Sequence, residues 1–374
     1  MGSCGGMSVS CGLPCVLLLL VCCWLCEAGA GLAPALYVLG DSQADAGTNN
    51  LLPTVLRADH PHNGVDYPGC KATGRFSNGK NFVDFLAEHL KLPSSPPPYL
   101  SICNTPSSNS IYLSGVNFAS GGAGVSNQTN QGLCISFDDQ IDRQFSKVNA
   151  SLVQQLGQAQ ASAHLSRSIF VVAIGGNDIL NNVLPIPSLV NQVISPHPPG
   201  QSTDEFIASL ALSLKDQLQR LYKFGMRRLF IVGAPPLGCC PVLRGEKECD
   251  AVANYMSSQY NIAVASLLRD MSDKYPDMLY SLFDPSITLL EYTRQPEANG
   301  YAVVDAACCG LGEKNAMFGC TPASSLCKNR TNHIFWDFVH PTEITAQKLM
   351  AVAFYGSAPL VTPRNVRQLC DTAI

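Results

Sequence analysis

Short apolar runs alternate with longer amphipathic stretches along the chain after residue 30, and this alternation predicts strands separated by helices. The apolar runs predict strands at 36–39, 114–119, 169–174 and 227–238. Apolar residues at helical spacing predict helices at 81–92, 138–165, 203–224, 250–274 and 342–354. Such an order of elements is typical of an α/β fold with three layers, in which helices cover a mostly parallel sheet. No repeat or clear linker divides the pattern, so we expect 31–374 to form one domain.

The first 30 residues have a different character. An apolar run at 14–26 is shorter than the roughly 20 residues that a membrane-spanning helix needs, and the small residues Ala28-Gly29-Ala30 follow it. This pattern predicts a secretory signal peptide at 1–30, although no Lys or Arg precedes the run. An uncleaved anchor is the alternative. The N-terminus is a poor match to a myristoylation signal, because Gly6 stands where Ser or Thr is needed.

Charge and cysteine content narrow the classes of function. The net charge is −4 and the basic residues are scattered, which argues against nucleic-acid binding. No second long apolar segment follows the leader, so we expect no stable membrane insertion after its cleavage. Of the 17 cysteines, eleven follow residue 30, and in a secreted chain most of them should form disulfides. An odd number leaves at least one thiol unpaired, and the sequence alone leaves the pairing open.

Neither cysteines nor histidines predict a metal site. The cysteines cluster at 239–249 and 308–327, but without the paired spacing that zinc sites use. The segment 59–62 with Asp66 is short, contains a proline and offers no fixed ligand geometry. We therefore predict no metal and no cofactor. Three sequons agree with secretion and predict glycosylation at Asn127, Asn149 and Asn329.

Small and polar residues follow several of the predicted strands. In parallel α/β sheets the carboxyl ends of the strands meet at one edge, where binding sites form. The segments that would meet there are 40–42, 121–124, 175–178 and 336–341. These segments contain the residue types that an acyl-transfer site requires.

Ser42, His340 and Asp337 are the candidate reacting groups. A serine nucleophile needs a base that removes its proton, which His340 can be, and the base needs a carboxylate that orients it, which Asp337 can be. The spacing of three residues between Asp337 and His340 lets both side chains reach one site if the segment turns. The alternatives are a helix cap for Ser42 and a structural role for His340, with His333 as a competing histidine that lacks a matching Asp.

An acyl-transfer site also needs donors for the oxyanion of the tetrahedral intermediate. The candidates are the backbone N–H of Ser42, a backbone N–H of the glycine turn at 121–124, and the side-chain amide of Asn177. Asn177 could instead be a simple turn residue, because Asn after Gly-Gly favours turns.

The order of these segments, together with three further motifs, resembles one family. Residues 73–79 read TGRFSNG, 115–120 read GVNFAS and 233–238 read GAPPLG. Across the whole chain after the leader, the sequence resembles the plant secreted branch of the GDSL esterases and lipases, within the SGNH hydrolase superfamily. The resemblance implies a flavodoxin-like α/β/α sandwich with about five strands and ester hydrolysis without a cofactor.

Residue by residue, the resemblance implies Ser42 as nucleophile, Asp337 as acid and His340 as base. It implies an oxyanion hole of Ser42, Gly124 and Asn177, with Gly121 as a second candidate glycine. The substrate would be an ester or lipid. Two alternatives remain open: an acyltransferase that uses the same acyl-enzyme, and a catalytically idle cell-wall binding protein.

The chain departs from the family pattern at two positions near the nucleophile. Gln43 stands where Leu is usual, and Thr48 stands where Asn is usual. Neither change removes a reacting group. Because Gln43 adjoins Ser42, we expect it to affect the substrate preference.

Overall fold

The computed structural model describes residues 31–105, 108–184 and 201–372. The predicted signal peptide at 1–30 lies outside the described residues. The strands are β1 (Leu36–Gly40), β2 (Gly115–Asn117), β3 (Ile169–Ala173), β4 (Arg228–Val232), β5 (Leu279–Phe283), β6 (Val303–Ala307), β7 (Cys309–Gly310), β8 (Ser325–Leu326), β9 (His333–Phe335) and β10 (Val361–Thr362). The α-helices are α1 (Phe82–His89), α2 (Tyr99–Ile102), α3 (Ser108–Tyr112), α4 (Phe137–Asp139), α5 (Ser146–Leu156), α6 (Gln158–Arg167), α7 (Gly176–Val183), α8 (Thr203–Lys223), α9 (Ala251–Lys274), α10 (Pro285–Arg294), α11 (Glu343–Tyr355) and α12 (Val366–Asp371). A π-helix, Gln140–Phe145, joins α4 to α5, and short 3₁₀ turns lie at Asn49–Leu51, Leu237–Cys239, Glu297–Asn299, Glu313–Asn315 and Arg330–Asn332.

A six-stranded sheet with the order β10-β5-β4-β3-β1-β2 forms the centre of the fold. Its first five strands in chain order are parallel, and β10 adds to β5 in the antiparallel direction. The parallel part has the order 2-1-3-4-5, which is that of flavodoxin-like sheets. The predicted fold class is therefore confirmed, with one strand more than expected.

Two hydrophobic cores lie on opposite faces of this sheet, as a three-layer fold requires. Along β1, Tyr37 and Leu39 belong to one core, whereas Leu36 and Val38 belong to the other. This division follows from the alternation of side chains along a strand. Because both faces are covered, the strands are apolar at consecutive positions, which explains why the sequence shows them as continuous apolar runs.

The elements differ from the sequence prediction in three places. Gly157, with a φ of +78°, separates α5 from α6 within the helix predicted at 138–165. The interval 276–335, for which the sequence predicted neither a strand nor a helix, contains β5 and α10. The helix predicted at 342–354 is α11, and β10 and α12 follow it.

Three disulfides form, each between two cysteines of the same cluster. The pairs are Cys239–Cys249, Cys308–Cys327 and Cys309–Cys320. The second and third hold together the segment that contains β7 and β8, which are too short to be stable alone. Five other cysteines in the described part of the chain are unpaired, namely Cys70, Cys103, Cys134, Cys240 and Cys370. This agrees with the expectation that most, but not all, of the eleven cysteines pair.

A buried ion pair ties the segment 73–79 to α1. The guanidinium of Arg75 donates to both carboxylate oxygens of Asp84, at 2.6 and 2.7 Å, and both side chains are less than one tenth exposed. Asp84 also accepts the backbone N–H of Asn81 and so completes the capping box of α1. The pair fixes residues 75–77 beside the start of α1.

Arg75→Met is expected to lower the free energy of unfolding by roughly 3–5 kcal/mol, because it leaves the Asp84 carboxylate buried without its partner. Lys80→Met is the matched control, since it removes the exposed ion pair of Lys80 with Glu88 and should cost less than about 1 kcal/mol. Urea denaturation of both variants measures the difference. Equal losses in the two variants would contradict this role of Arg75.

Candidate active site

The carboxyl ends of β1 and β3 lie side by side and lead into two predicted site residues. Because β1 lies between β2 and β3, the strand order reverses here, and open α/β sheets bind ligands at such a reversal. Ser42 follows β1, and Asn177 lies in the first turn of α7 after β3. Gly40 ends β1 with a φ of +144°, and a β-carbon there would lie 2.1 Å from the carbonyl oxygen of Ala173. Glycine at this position lets the chain leave the sheet at Ser42.

Ser42, His340 and Asp337 form one chain of hydrogen bonds. The Nε2 atom of His340 lies 2.7 Å from the hydroxyl oxygen of Ser42. The Nδ1 atom of His340 lies 2.8 and 2.9 Å from the two carboxylate oxygens of Asp337. Asp337 and His340 are 3% and 5% exposed. With Nδ1 donating to the carboxylate, Nε2 is left as an acceptor for the serine hydroxyl.

A tight turn brings Asp337 and His340 together. One carboxylate oxygen of Asp337 accepts the backbone N–H groups of Val339 and His340, at 3.0 and 2.8 Å. The backbone N–H of Trp336 in turn donates to the carbonyl of His340, at 2.8 Å. These bonds fold the segment back on itself, which is the turn that the spacing of Asp337 and His340 predicted.

The disulfide-bonded segment at 308–327 packs against this turn. Trp336 is fully buried, packs with Cys308 and Cys309, and donates its indole N–H to Asn63 at 2.9 Å. The backbone N–H of Cys309 donates to the carbonyl of Trp336 at 2.7 Å. The cysteines at 308 and 309 therefore hold the chain next to Asp337, a role that the sequence alone did not indicate.

Two aromatic rings contact His340, and sequence reasoning assigned a role to neither. Phe76 stacks on the imidazole with ring centroids 5.0 Å apart, and Phe338 meets it edge-on at 6.2 Å. Packing on both sides limits rotation of the imidazole. The signal for Phe76 was present, since it lies at the centre of the TGRFSNG motif.

The glycines of the turn at 121–124 differ in whether their backbone N–H could bind an oxyanion. Gly124 is not among the residues that line the cleft, and the space beside its α-carbon is filled by Thr129 and Asp178. The N–H of Gly121 donates to the carboxylate of Asp45 at 2.9 Å. Gly122 does line the cleft, and its N–H has no hydrogen-bond acceptor among the described residues. The geometry therefore favours Gly122 over the predicted Gly124 and its alternative Gly121.

Ser42 and Asn177 line the same cleft as Gly122 and offer two further donors. The N–H of Ser42 makes no hydrogen bond to any residue in the described ranges. The side-chain amide of Asn177 donates to the carbonyl of Ala123 at 3.0 Å, which uses one of its two hydrogens. The carbonyl contact holds the Asn177 amide beside the glycine turn.

Three buried carboxyl groups lie beneath the turns of the site. Asp45 accepts N–H groups from residues 47, 48, 49 and 121, and Asp178 accepts those of residues 125 and 126. Asp41 accepts the N–H of Gln43 at 2.9 Å. Burial raises the pKa of Asp41 to about 7, against the opposing effects of that hydrogen bond and of His340. Burial likewise raises the pKa of Asp45 to about 6 and raises that of Asp178.

A cleft of about 620 Å³ opens over Ser42, Asn177 and His340. Its lining is largely apolar and includes Leu56, Leu180, Leu237, Leu289, Phe318 and Phe338. Val55 and Phe318 both line it and are 84% and 62% exposed, so apolar side chains also border its opening. Such a cleft suits an apolar ligand.

Of the other residues that the sequence singled out, His60 lines the cleft, whereas His333 and Asp66 do not. His333 bonds to the side chain of Asn332, and Asp66 pairs with Arg330. Within the described ranges, no three His, Cys, Asp or Glu side chains are grouped as a metal site. Asn127 and Asn329 are exposed and Asn149 is half-buried, and their glycosylation stays a prediction. No helix in the described part of the chain is long and apolar enough to cross a membrane.

Asp41→Asn is expected to change how stability depends on pH. In the unfolded chain Asp41 ionises near 3.8 and in the folded chain near 7, so the folded state binds the extra proton between these values. The contribution of Asp41 to stability therefore falls as the pH rises from about 4 to above 7. Asn cannot ionise and keeps an oxygen for the N–H of Gln43.

The free energy of unfolding of the Asp41→Asn variant, relative to the original protein, should therefore rise over this pH range by as much as about 4 kcal/mol. Urea denaturation at pH 4, 6 and 8 measures it. A difference between the two proteins that stays constant with pH would contradict the raised pKa of Asp41.

Comparison with known proteins identifies the family. Residues 36–354 match the model of the GDSL-like lipase/acylhydrolase family. The chain is 38% identical to GDSL esterase/lipase At5g55050 of Arabidopsis thaliana, over 91% of this chain and 90% of the relative. It is 35% identical to GDSL esterase/lipase At1g71250 of the same plant, again over 91% and 90% of the two chains. The chain therefore belongs to the GDSL-like lipase/acylhydrolase family.

Proposed function

We propose that the protein is a secreted serine esterase that hydrolyses carboxylic esters through an acyl-enzyme. Ser42 attacks the ester carbonyl while His340 takes its proton, and His340 then returns the proton to the leaving alcohol. Asp337 orients the imidazole and stabilises its protonated form. A water molecule, activated by the same histidine, releases the acid and restores Ser42.

The main support for this proposal is the distance of 2.7 Å between the hydroxyl oxygen of Ser42 and Nε2 of His340, while Asp337 contacts Nδ1 of the same ring. These distances suit proton transfer in both directions. Membership of a lipase/acylhydrolase family supports the same chemistry independently of the geometry.

The oxyanion would be bound by the backbone N–H groups of Ser42 and Gly122 and by the side chain of Asn177. Both backbone donors are free of acceptors in the described ranges and adjoin the cleft. Donors that are fixed before the reaction stabilise the developing charge most effectively, because no reorganisation is needed in the transition state. Gly122 replaces Gly124 in this assignment.

The substrate would be an ester or lipid with a substantial apolar part. A largely apolar cleft of about 620 Å³ has room for an acyl chain next to the reacting carbonyl. Secretion is supported by the three disulfides, which form in oxidising compartments, and by the predicted leader and sequons.

Ser42→Ala is expected to abolish labelling by a fluorophosphonate probe and to lower kcat for ester hydrolysis by roughly 10³- to 10⁶-fold, because the nucleophile is lost. Ser77→Ala is the matched control, since Ser77 also lines the cleft but bonds to the carbonyl of Lys80. It should label like the original protein. Mass spectrometry of the intact protein and titration of released acid measure the two effects.

Failure of the original protein to label, or equal labelling of the Ser42→Ala variant, would contradict the proposal. Addition of butanol separates hydrolysis from acyl transfer. Free acid should remain the main product, whereas a predominance of butyl ester would identify an acyltransferase instead.

A further inference from the structure

Gln43 lies beside the proposed nucleophile and lines the cleft. Its backbone N–H is fixed by the carboxylate of Asp41, at 2.9 Å, and the residue is only partly buried. The name of the family spells Gly-Asp-Ser-Leu, whereas this chain reads Gly-Asp-Ser-Gln. A polar side chain therefore stands next to Ser42 where the family's motif has an apolar one.

The side-chain amide of Gln43 makes no hydrogen bond to any residue in the described part of the chain. This distinguishes it from the other side-chain amides of the cleft. Each of the others makes a hydrogen bond within the protein through its side chain: Asn63, Asn81, Asn130, Asn177 and Asn181. The Gln43 amide thus offers two donor hydrogens and an acceptor oxygen to whatever occupies the cleft.

The energetic consequence depends on the ligand. An entirely apolar ester would displace water from this amide and leave its polar atoms without partners. An ester with a hydroxyl group near the scissile bond would replace that water with a direct hydrogen bond. Sites that hydrogen-bond a substrate group discriminate strongly against analogues that lack the group.

We propose that Gln43 determines specificity by hydrogen-bonding a hydroxyl group that lies near the scissile ester, so that the preferred substrates are hydroxylated esters. The inference rests on the proposed esterase function of Ser42. The hydroxyl can belong to the acyl group, as in an ester of a hydroxy acid, or to the alcohol, as in a partial ester of a polyol. Both sources present the same chemistry to the amide.

Three esters test this preference. Butyl hexanoate is the apolar reference, butyl 3-hydroxyhexanoate has the hydroxyl on the acyl side, and 1-monohexanoylglycerol has it on the alcohol side. The variants are Gln43→Leu and Gln43→Met, of which the second keeps the length of the side chain without its amide. Gln154→Leu, an exposed glutamine on α5, is the control. The measurement is kcat/KM for each ester, by titration of released acid.

The original protein and the Gln154→Leu control should favour at least one hydroxylated ester over butyl hexanoate. In both Gln43 variants that ratio of kcat/KM should fall by roughly 5- to 100-fold, with the rate on butyl hexanoate rising. The ester whose ratio falls identifies the side that carries the hydroxyl. Fluorophosphonate labelling of the variants checks that Ser42 is still reactive.

Unchanged ratios in both Gln43 variants, with hydrolysis retained, would overturn this inference alone. Absence of hydrolysis and of labelling in the original protein would instead overturn the proposed function, and the inference with it.

Discussion

The hydrogen bond between Ser42 and His340 joins residues that are 298 positions apart in the chain, so it depends on the whole fold. The position of Ser42 depends on the parallel sheet, in which β1 ends at Gly40 and the chain then turns into the cleft. The position of His340 depends on a segment with little regular structure, which the two disulfides at 308–327 and the buried Trp336 hold in place. A shift of either residue by about 1 Å would remove the contact.

The glycine turn beside Ser42 is held by buried polar groups, not by packing alone. The carboxylate of Asp45 accepts N–H groups from both the segment after Ser42 and the turn at Gly121. Asn49 reinforces this link through the carbonyl of Gly121 and the hydroxyl of Ser120. With its neighbours fixed in this way, Gly122 lines the cleft, and its N–H has no acceptor among the residues that the structure describes. Burial of a carboxyl group costs stability, and its hydrogen bonds offset that cost.

The sequence was sufficient to predict elements with a clear apolar pattern and residues that belong to motifs. β1 and β3 were predictable because both of their faces are buried, which makes them continuous apolar runs. β5 was missed because Ser281 interrupts its apolar pattern, and β10 because it has only two residues, close to Pro359 and Pro363. Periodicity needs longer segments to be visible.

The candidate site was predictable in its side chains but not in its backbone. Ser42, Asp337 and His340 lie together as expected, since each has a chemistry that few residue types share. The glycine could not be chosen from the sequence, because any of the four residues at 121–124 offers an N–H, and only the folded turn determines which N–H is bonded to another described residue. The sequence also could not show that the side-chain amide of Gln43 has no hydrogen-bond partner among the described residues, because a sequence does not reveal which polar groups find partners.

The most direct test of the account is a crystal structure of the protein after reaction with a phosphonate ester, whose phosphoryl oxygen takes the place of the oxyanion. Phosphorus is expected to be bonded to the Ser42 oxygen. The phosphoryl oxygen is expected to lie about 2.7–3.1 Å from the backbone nitrogens of Ser42 and Gly122 and from the side-chain nitrogen of Asn177. Phosphorus on another residue, or a phosphoryl oxygen directed away from Gly122, would contradict it.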